Sequence, residues 1–246
     1  MAYAGTRRIK TFVTGLDEQI ESGIPAGTVN IVCGTPGSMK SSFAYSLLYQ
    51  NALKIGLKGL YISMEQDTSS LTAQMQQLGM NEKTDKLVVE DYESLETKLK
   101  ATKFQKLKFE HDWITRVRMY MEELEKKSFD LLVIDSLDAL YALTNVENPR
   151  RDLYYFFKTL RETETTSFLI SEMTQNSDKF SKFGVEEFLC DGIIHIDFKR
   201  TGTILSQLER FIGIVKLRNT NFTTQYFPLQ HVEGKFRILT GEDLEL

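Results

Sequence analysis

The stretch GTPGSMKSS, from Gly34 to Ser42, constrains this chain more than any other, because it is a near-complete phosphate-binding loop set between a strand and a helix. The full pattern is G-x-x-x-x-G-K-[ST]; here Gly34 and four further residues lead to Met39, Lys40 and Ser41. The apolar run 28–33 reads as a buried strand entering the loop, and 41–54 as the helix leaving it. In such a loop Thr35, Pro36, Gly37, Ser38, Met39, Lys40, Ser41 and Ser42 wrap the phosphates. Backbone N–H groups and the positive helix end hold the oxygens, Lys40 adds a point charge, and Ser41 can ligate Mg²⁺. Met39 departs from the pattern's glycine. A left-handed backbone would cost a methionine about 1–2 kcal/mol, so Met39 is expected to sit with φ < 0, its neighbours adapting to it.

A chain of 246 residues with 41% apolar and 26% charged side chains has enough apolar content for a sizeable core. Its net charge of −4 gives no global attraction to nucleic acid or an anionic membrane. No apolar run approaches the ~20 residues needed to span a bilayer, and MAYAGTRRIK lacks a signal-peptide core, so a cytoplasmic protein is expected. Cys33 and Cys190 both sit in apolar runs and are expected as buried thiols. His111, His195 and His231 lack metal-ligand spacing.

Strand-like runs at 28–33, 57–64, 87–91, 130–135, 167–171, 192–197, 210–217 and 234–239 alternate with helical patterns at 41–54, 67–79, 113–127 and 150–163. That alternation predicts an α/β fold with a mainly parallel central sheet, helices on both faces and antiparallel closing strands from 192 onward. No linker or repeat divides the chain, and one domain over 1–246 is expected. Two stretches fall outside the pattern. The first, 93–112, carries Lys98, Lys100, Lys103, Lys106 and Lys108 near Phe104, Phe109 and Trp113, which could bind single-stranded nucleic acid but reads better as a solvated segment diluted by acids. The second, 173–185, is a polar loop opening at the carboxyl edge of the sheet.

Two apolar strands end in acids. Asp135 closes FDLLVID about ninety residues after the loop, and in role it pairs with Ser41 in the Mg²⁺ shell. Glu65 closes GLYISME and could orient or deprotonate the attacking water; an acid favoured at a helix start is the alternative. Lys216 and Arg218 alternate along the closing strand and share one face. Two cations projecting together suit a phosphate, although charged residues also protect an edge strand.

Taken together these residues resemble the KaiC-type branch of the RecA superfamily of ATPases. The resemblance runs through Thr11 to Gly34, Glu65, Asp135-Ser136, Lys182 to Ile196 and KLRNT (Lys216 to Thr220), with Gln66 in place of the second acid of the family's Glu-Glu pair and Asn219 in place of a glycine. It implies a RecA-like core binding ATP and Mg²⁺, assembled head to tail as a homo-oligomeric ring, with a hexamer the expected form. Glu65 would be the catalytic base, and Lys216 and Arg218 would reach the neighbour's nucleotide. It also implies that 173–185 lines a central channel. Self-phosphorylation is not expected, because the matching positions, Glu187 and Phe188, carry no hydroxyl. Two alternatives stay open: a nucleotide-dependent DNA-binding, recombinase-like paralogue with little turnover, and an ATP-switched regulator of a protein partner.

Overall fold

The computed structural model describes residues 7–101, 129–143, 146–174, 179–201 and 207–244. Its strands are β1 (Arg8–Ile9), β2 (Ile24–Pro25), β3 (Val29–Gly34), β4 (Gly59–Ser63), β5 (Leu87–Asp91), β6 (Leu131–Asp135), β7 (Thr166–Glu172), β8 (Gly192–Thr201), β9 (Gln207–Leu217), β10 (Phe227–Val232) and β11 (Lys235–Ile238). The helices are α1 (Lys40–Ile55), α2 (Thr68–Gln77), α3 (Tyr92–Ala101), α4 (Leu137–Leu143), α5 (Pro149–Glu162), α6 (Glu186–Leu189) and α7 (Gly241–Leu244). A short 3-10 turn covers Asp17–Ile20.

Among the described residues, nine strands form one sheet in the order β11-β10-β9-β8-β3-β7-β6-β4-β5. The run from β8 to β5 is parallel, and β9, β10 and β11 add antiparallel ladders. The expected architecture is therefore present, with one correction: the strand at 192 is parallel to β3, and antiparallel pairing begins only at β9. Strands buried on both faces read as unbroken apolar runs. Leu131, Leu132, Val133 and Ile134 of β6 are all fully buried. One face packs under α1 and α2 through Phe43, Leu47, Leu48, Leu71 and Met75. The other packs under α4 and α5 through Leu137, Leu140, Leu153, Phe156, Phe157 and Leu160.

Local chemistry sets the helix limits. Pro149 occupies the first turn of α5, and Asn148 Oδ1 accepts from Arg151 N at 3.1 Å as the cap. Gly56 ends α1 in a left-handed conformation, φ 69°. The segment from residue 93, expected as irregular, begins as helix α3, capped by Asp91 Oδ1 accepting from Ser94 N at 2.7 Å. Lys98, offered as a nucleic-acid contact, is ion-paired with Glu90. Lys103, Lys106, Lys108, Phe104, Phe109, Trp113 and the helix expected at 113–127 lie outside the described residues. Strand β10 was not expected; Pro228 within it removes a donor and weakens its strand signature. Cys33 and Cys190 are free and buried, as expected. Among the described residues no helix is long and apolar enough to cross a membrane.

Candidate functional site

Parallel strands all present their carboxyl ends to the same sheet edge, so four chain segments remote in sequence arrive there together. Gly34 ends β3 and pairs in register with Glu172, the last residue of β7. Ser63 of β4 pairs with Asp135 of β6, and Met64 N donates to Asp135 O at 2.6 Å, which brings Glu65 to the same rim. Lys40, Asp135 and Glu65 thus meet, as the sequence predicts.

The loop between β3 and α1 must turn sharply against β8. Gly34 has φ 155°, and a Cβ there would stand 2.0 Å from the Ile196 carbonyl oxygen, so only glycine fits. Met39 is also left-handed, with φ 75° and ψ 27°. This corrects the expectation of φ < 0: the residue just before the first helical turn has to reverse the chain, whatever its side chain. The methionine side chain packs against the core beneath α1, which offsets part of the strain.

The helix start is left open to an anion. No side chain caps α1, and its first turn holds no acid, so the N–H groups of Lys40, Ser41 and Ser42 point outward without intrahelical partners. The Thr35 and Ser38 hydroxyls are buried and unpartnered. Pro36 and Gly37 form the exposed tip. Lys40 is 7% exposed, and its Nζ donates to Thr35 O at 3.1 Å. Burial pulls its pKa down, while the nearby carboxylates of Glu172, Asp135 and Asp138 pull it up. These features fit phosphate oxygens.

Asp135 is held rigidly. Tyr61, wholly buried, donates to Asp135 Oδ2 at 2.5 Å. Burial pushes the Asp135 carboxyl up, while hydrogen bonds from Tyr61 and Ser41 pull it down; Glu65 adds to the rise and Lys40 opposes it. Glu65 is exposed, and its Oε1 accepts from Ser136 Oγ at 2.9 Å. Among the described residues no three His, Cys, Asp or Glu side chains gather as a metal cage. A site of one carboxylate and one hydroxyl suits Mg²⁺, which takes few protein ligands alongside phosphate oxygens and water.

Three site residues went unmarked by the sequence. Tyr61 carries no motif. Glu172 ends β7 beside the loop, its carboxyl raised first by burial and then by Glu65 and Asp138. Arg210 of β9 donates from Nε and Nη2 to Gly37 O at 3.3 and 3.2 Å. The terminal acid of β7 followed the same strand-end pattern as Glu65 and Asp135 and could have been found by it.

Lys216 and Arg218 do not join this rim. Because β9 is antiparallel to β8, its last residue, Leu217, pairs with Gly192 at the start of β8. The two cations therefore sit at the amino edge, where Arg218 N donates to Asp191 O at 2.8 Å and Asp191 Oδ2 accepts from Val29 N at 3.0 Å. Of the loop 173–185, residues 175–178 lie outside the described ones. Its remainder is tied down by Glu186 and Glu187, which accept from Ser181 Oγ at 2.9 and 3.2 Å, and by Lys182 over the Tyr141 ring at 5.9 Å.

A nine-stranded, mostly parallel sheet with a phosphate loop after β3 and an acid ending β6 defines a RecA-like P-loop ATPase fold. The family model described as "ATPase: KaiC" matches residues 9–242, and the chain belongs to that ATP-binding family. Among relatives, a UPF0273 protein of Pyrococcus horikoshii is 28% identical over 229 residues, covering 91% of this chain and 90% of that one. A UPF0273 protein of Thermotoga maritima is 27% identical and covers 96% of this chain and 97% of its own length. The circadian clock oscillator protein KaiC 1 of Synechocystis is 24% identical over 91% of this chain, which spans only 42% of that longer protein. The crystal structure of a KaiC-like protein of Pyrococcus horikoshii shares the fold, with a TM-score of 0.75, 23% identity, and 96% of this chain and 100% of that one covered.

Proposed function

We propose that this protein, acting as one ATPase domain over residues 1–246, hydrolyses ATP at sites completed between subunits of a homo-oligomeric ring, with six subunits expected. Thr35 to Ser42 wrap the phosphates, and Lys40 neutralises charge at close range in a low-dielectric setting. Mg²⁺, held by Ser41 and Asp135, would neutralise charge developing on the phosphate oxygens. Glu65 takes the proton from the attacking water, exposed at the rim where the γ-phosphate would arrive and oriented by Ser136.

The position of Lys216 and Arg218 carries the inter-subunit part of the reading. Residue 29 to residue 34 is five strand steps, roughly 17 Å at about 3.3 Å each. An arginine at the level of Val29 cannot cross that distance to its own phosphate loop. Both cations are nonetheless partly exposed, paired on one side of the molecule, and suited to phosphate. A head-to-tail contact that closes into a ring would bring one subunit's amino edge to its neighbour's carboxyl edge.

The test is complementation. Arg218→Ala and Lys40→Ala should each be inactive. Co-expressed, they should form some interfaces with an intact loop from one subunit and an intact arginine from the other, and turnover should return. Mixed oligomers confirmed by differential tags that remain inactive would refute action in trans. A ligand-dependent DNA interaction is disfavoured by the net charge of −4 and by the engagement of Lys98 and Lys182.

A further inference from the structure

Lys216 and Arg218 do not stand free at the end of β9. Residues 187–191, the end of α6 and the two residues that join it to β8, present them with a ring of acceptors. Lys216 Nζ donates to Glu187 O at 2.8 Å and to Cys190 O at 2.7 Å. Arg218 donates from Nη1 to Asp191 Oδ1 at 3.0 Å and from Nη2 to Phe188 O at 3.1 Å. Carbonyls at a helix end carry partial negative charge, and Asp191 adds a full one.

Asp191 is the fixed point of this arrangement. It is 9% exposed. Its carboxylate accepts from Val29 N at 3.0 Å and from both Nε and Nη2 of Arg161, at 3.0 and 3.2 Å. Arg161 Nη2 also donates to Leu189 O. A carboxylate anchored by a strand backbone and a bidentate guanidinium has no rotamer freedom left to lose. Arg218, whose side chain is 49% exposed, gains a single orientation by binding to it. The bonds to Asp191 and Phe188 use two of the five donors a guanidinium carries, and those to Glu187 and Cys190 two of the three an ammonium carries. Donors therefore remain on each cation for a phosphate.

We propose that Asp191 is a positioning residue for hydrolysis in the neighbouring subunit: it touches no nucleotide but sets the direction in which Arg218 meets the neighbour's phosphates. The proposal rests on the inter-subunit reading above. Geometry of this kind matters because a misplacement of about 1 Å can cost roughly 100-fold in rate. Arg161 then serves to hold Asp191, and the pair of arginines on one acid is an aiming device and not only a structural ion pair.

Asp191→Asn keeps the size of the side chain and one oxygen for Val29 N. It should lower turnover by about 100-fold, with the KM for ATP little changed, because the loop that binds ATP lies at the other edge. Co-expressed with Lys40→Ala, Asp191→Asn should recover activity, since about a quarter of interfaces in a random one-to-one ring would pair an intact loop with an intact Asp191 and Arg218. Co-expressed with Arg218→Ala it should stay inactive, because both lesions lie on the same side of every interface. A merely structural lesion would not distinguish those two partners. Should Asp191→Asn fail to fold, Asp191→Glu retains the charge, displaces it by one methylene and should show the same pattern with partial activity. Wild-type turnover in Asp191→Asn overturns the proposal, as does recovery with Arg218→Ala. If Lys40→Ala and Arg218→Ala complement each other but Asp191→Asn and Lys40→Ala do not, the positioning role alone falls. If Lys40→Ala and Arg218→Ala fail to complement, the inter-subunit reading falls and carries this assignment with it.

Discussion

The two edges of the sheet hold charged clusters built on opposite terms. At the carboxyl edge, Asp135, Asp138 and Glu172 act on one buried Lys40, and like charges, Glu65 among them, raise the proton affinity of Asp135 and Glu172. That edge also carries the left-handed Met39 and the unpartnered Thr35 and Ser38 hydroxyls. At the amino edge, one acid, Asp191, gathers Arg161 and Arg218 with donors matched to acceptors. The first cluster is poor for stability and suited to receiving a triphosphate and its cation. In the second, the acid is satisfied within the chain while Arg218 keeps donors to spare. Unmet polar groups and strain mark where a ligand belongs, whereas a satisfied ion cluster marks scaffold that can hold a reactive group in place.

Removing charge should accordingly have opposite effects at the two edges. The largest effect is expected from Lys40→Ala, which should abolish measurable ATP binding by titration calorimetry, since no other cation is buried in the loop. Glu65→Gln keeps the shape and removes only the basicity. It should leave ATP affinity intact and cut turnover by about 10²–10⁴-fold in a phosphate-release assay. Undiminished turnover would move the base elsewhere and leave Glu65 as a rim acid. Arg161→Gln, at the other edge, strips the bidentate partner from Asp191. A loss on the order of 1–2 kcal/mol in urea unfolding is expected, with ATP affinity unchanged; a neutral result would show that Arg218 and Val29 suffice to hold the acid.

Smaller effects test the strain itself. Met39→Gly should relieve about 1–2 kcal/mol of left-handed strain, less what is lost in side-chain packing, and should tighten nucleotide binding. Unchanged or weaker affinity would mean that packing of the methionine outweighs its backbone. Glu172→Gln should raise the melting temperature by about 1–3 °C. The sign follows from the raised carboxyl: an acid that binds its proton more readily when folded adds stability below its ordinary value of 4.5, and that contribution is lost as pH rises through the folded value. At neutral pH the charge is a cost, and the amide removes it. A fall in melting temperature would show that attraction to Lys40 exceeds repulsion from Glu65 and Asp138.

What the sequence determined by itself was whatever depends on local pattern. The run Val29–Gly34, the helix from Lys40 and the buried strand ending at Asp135 announce themselves by apolar continuity, turn residues and strand-end acids. These suffice for the phosphate-loop motif, the strand-end acid beside it and the α/β class. Elements with weaker local signals escaped: α3, whose cap is Asp91, and β10, interrupted by Pro228. Tertiary structure alone decided the rest. Gly34 must be glycine because β3 ends against the Ile196 carbonyl, 162 residues away in sequence, and Met39 is left-handed because the chain has to reverse between that strand end and α1. Glu172 carries the strand-end signature in sequence, but it sits beside the loop because β7 pairs with β3, and Tyr61 belongs to the site because its face of β4 meets Asp135. Lys216 and Arg218 share a face, as period two requires, but only the antiparallel direction of β9 sends them to the edge opposite the loop and onto Asp191. Strand direction is fixed by which ladder forms, a long-range choice that no window of sequence contains.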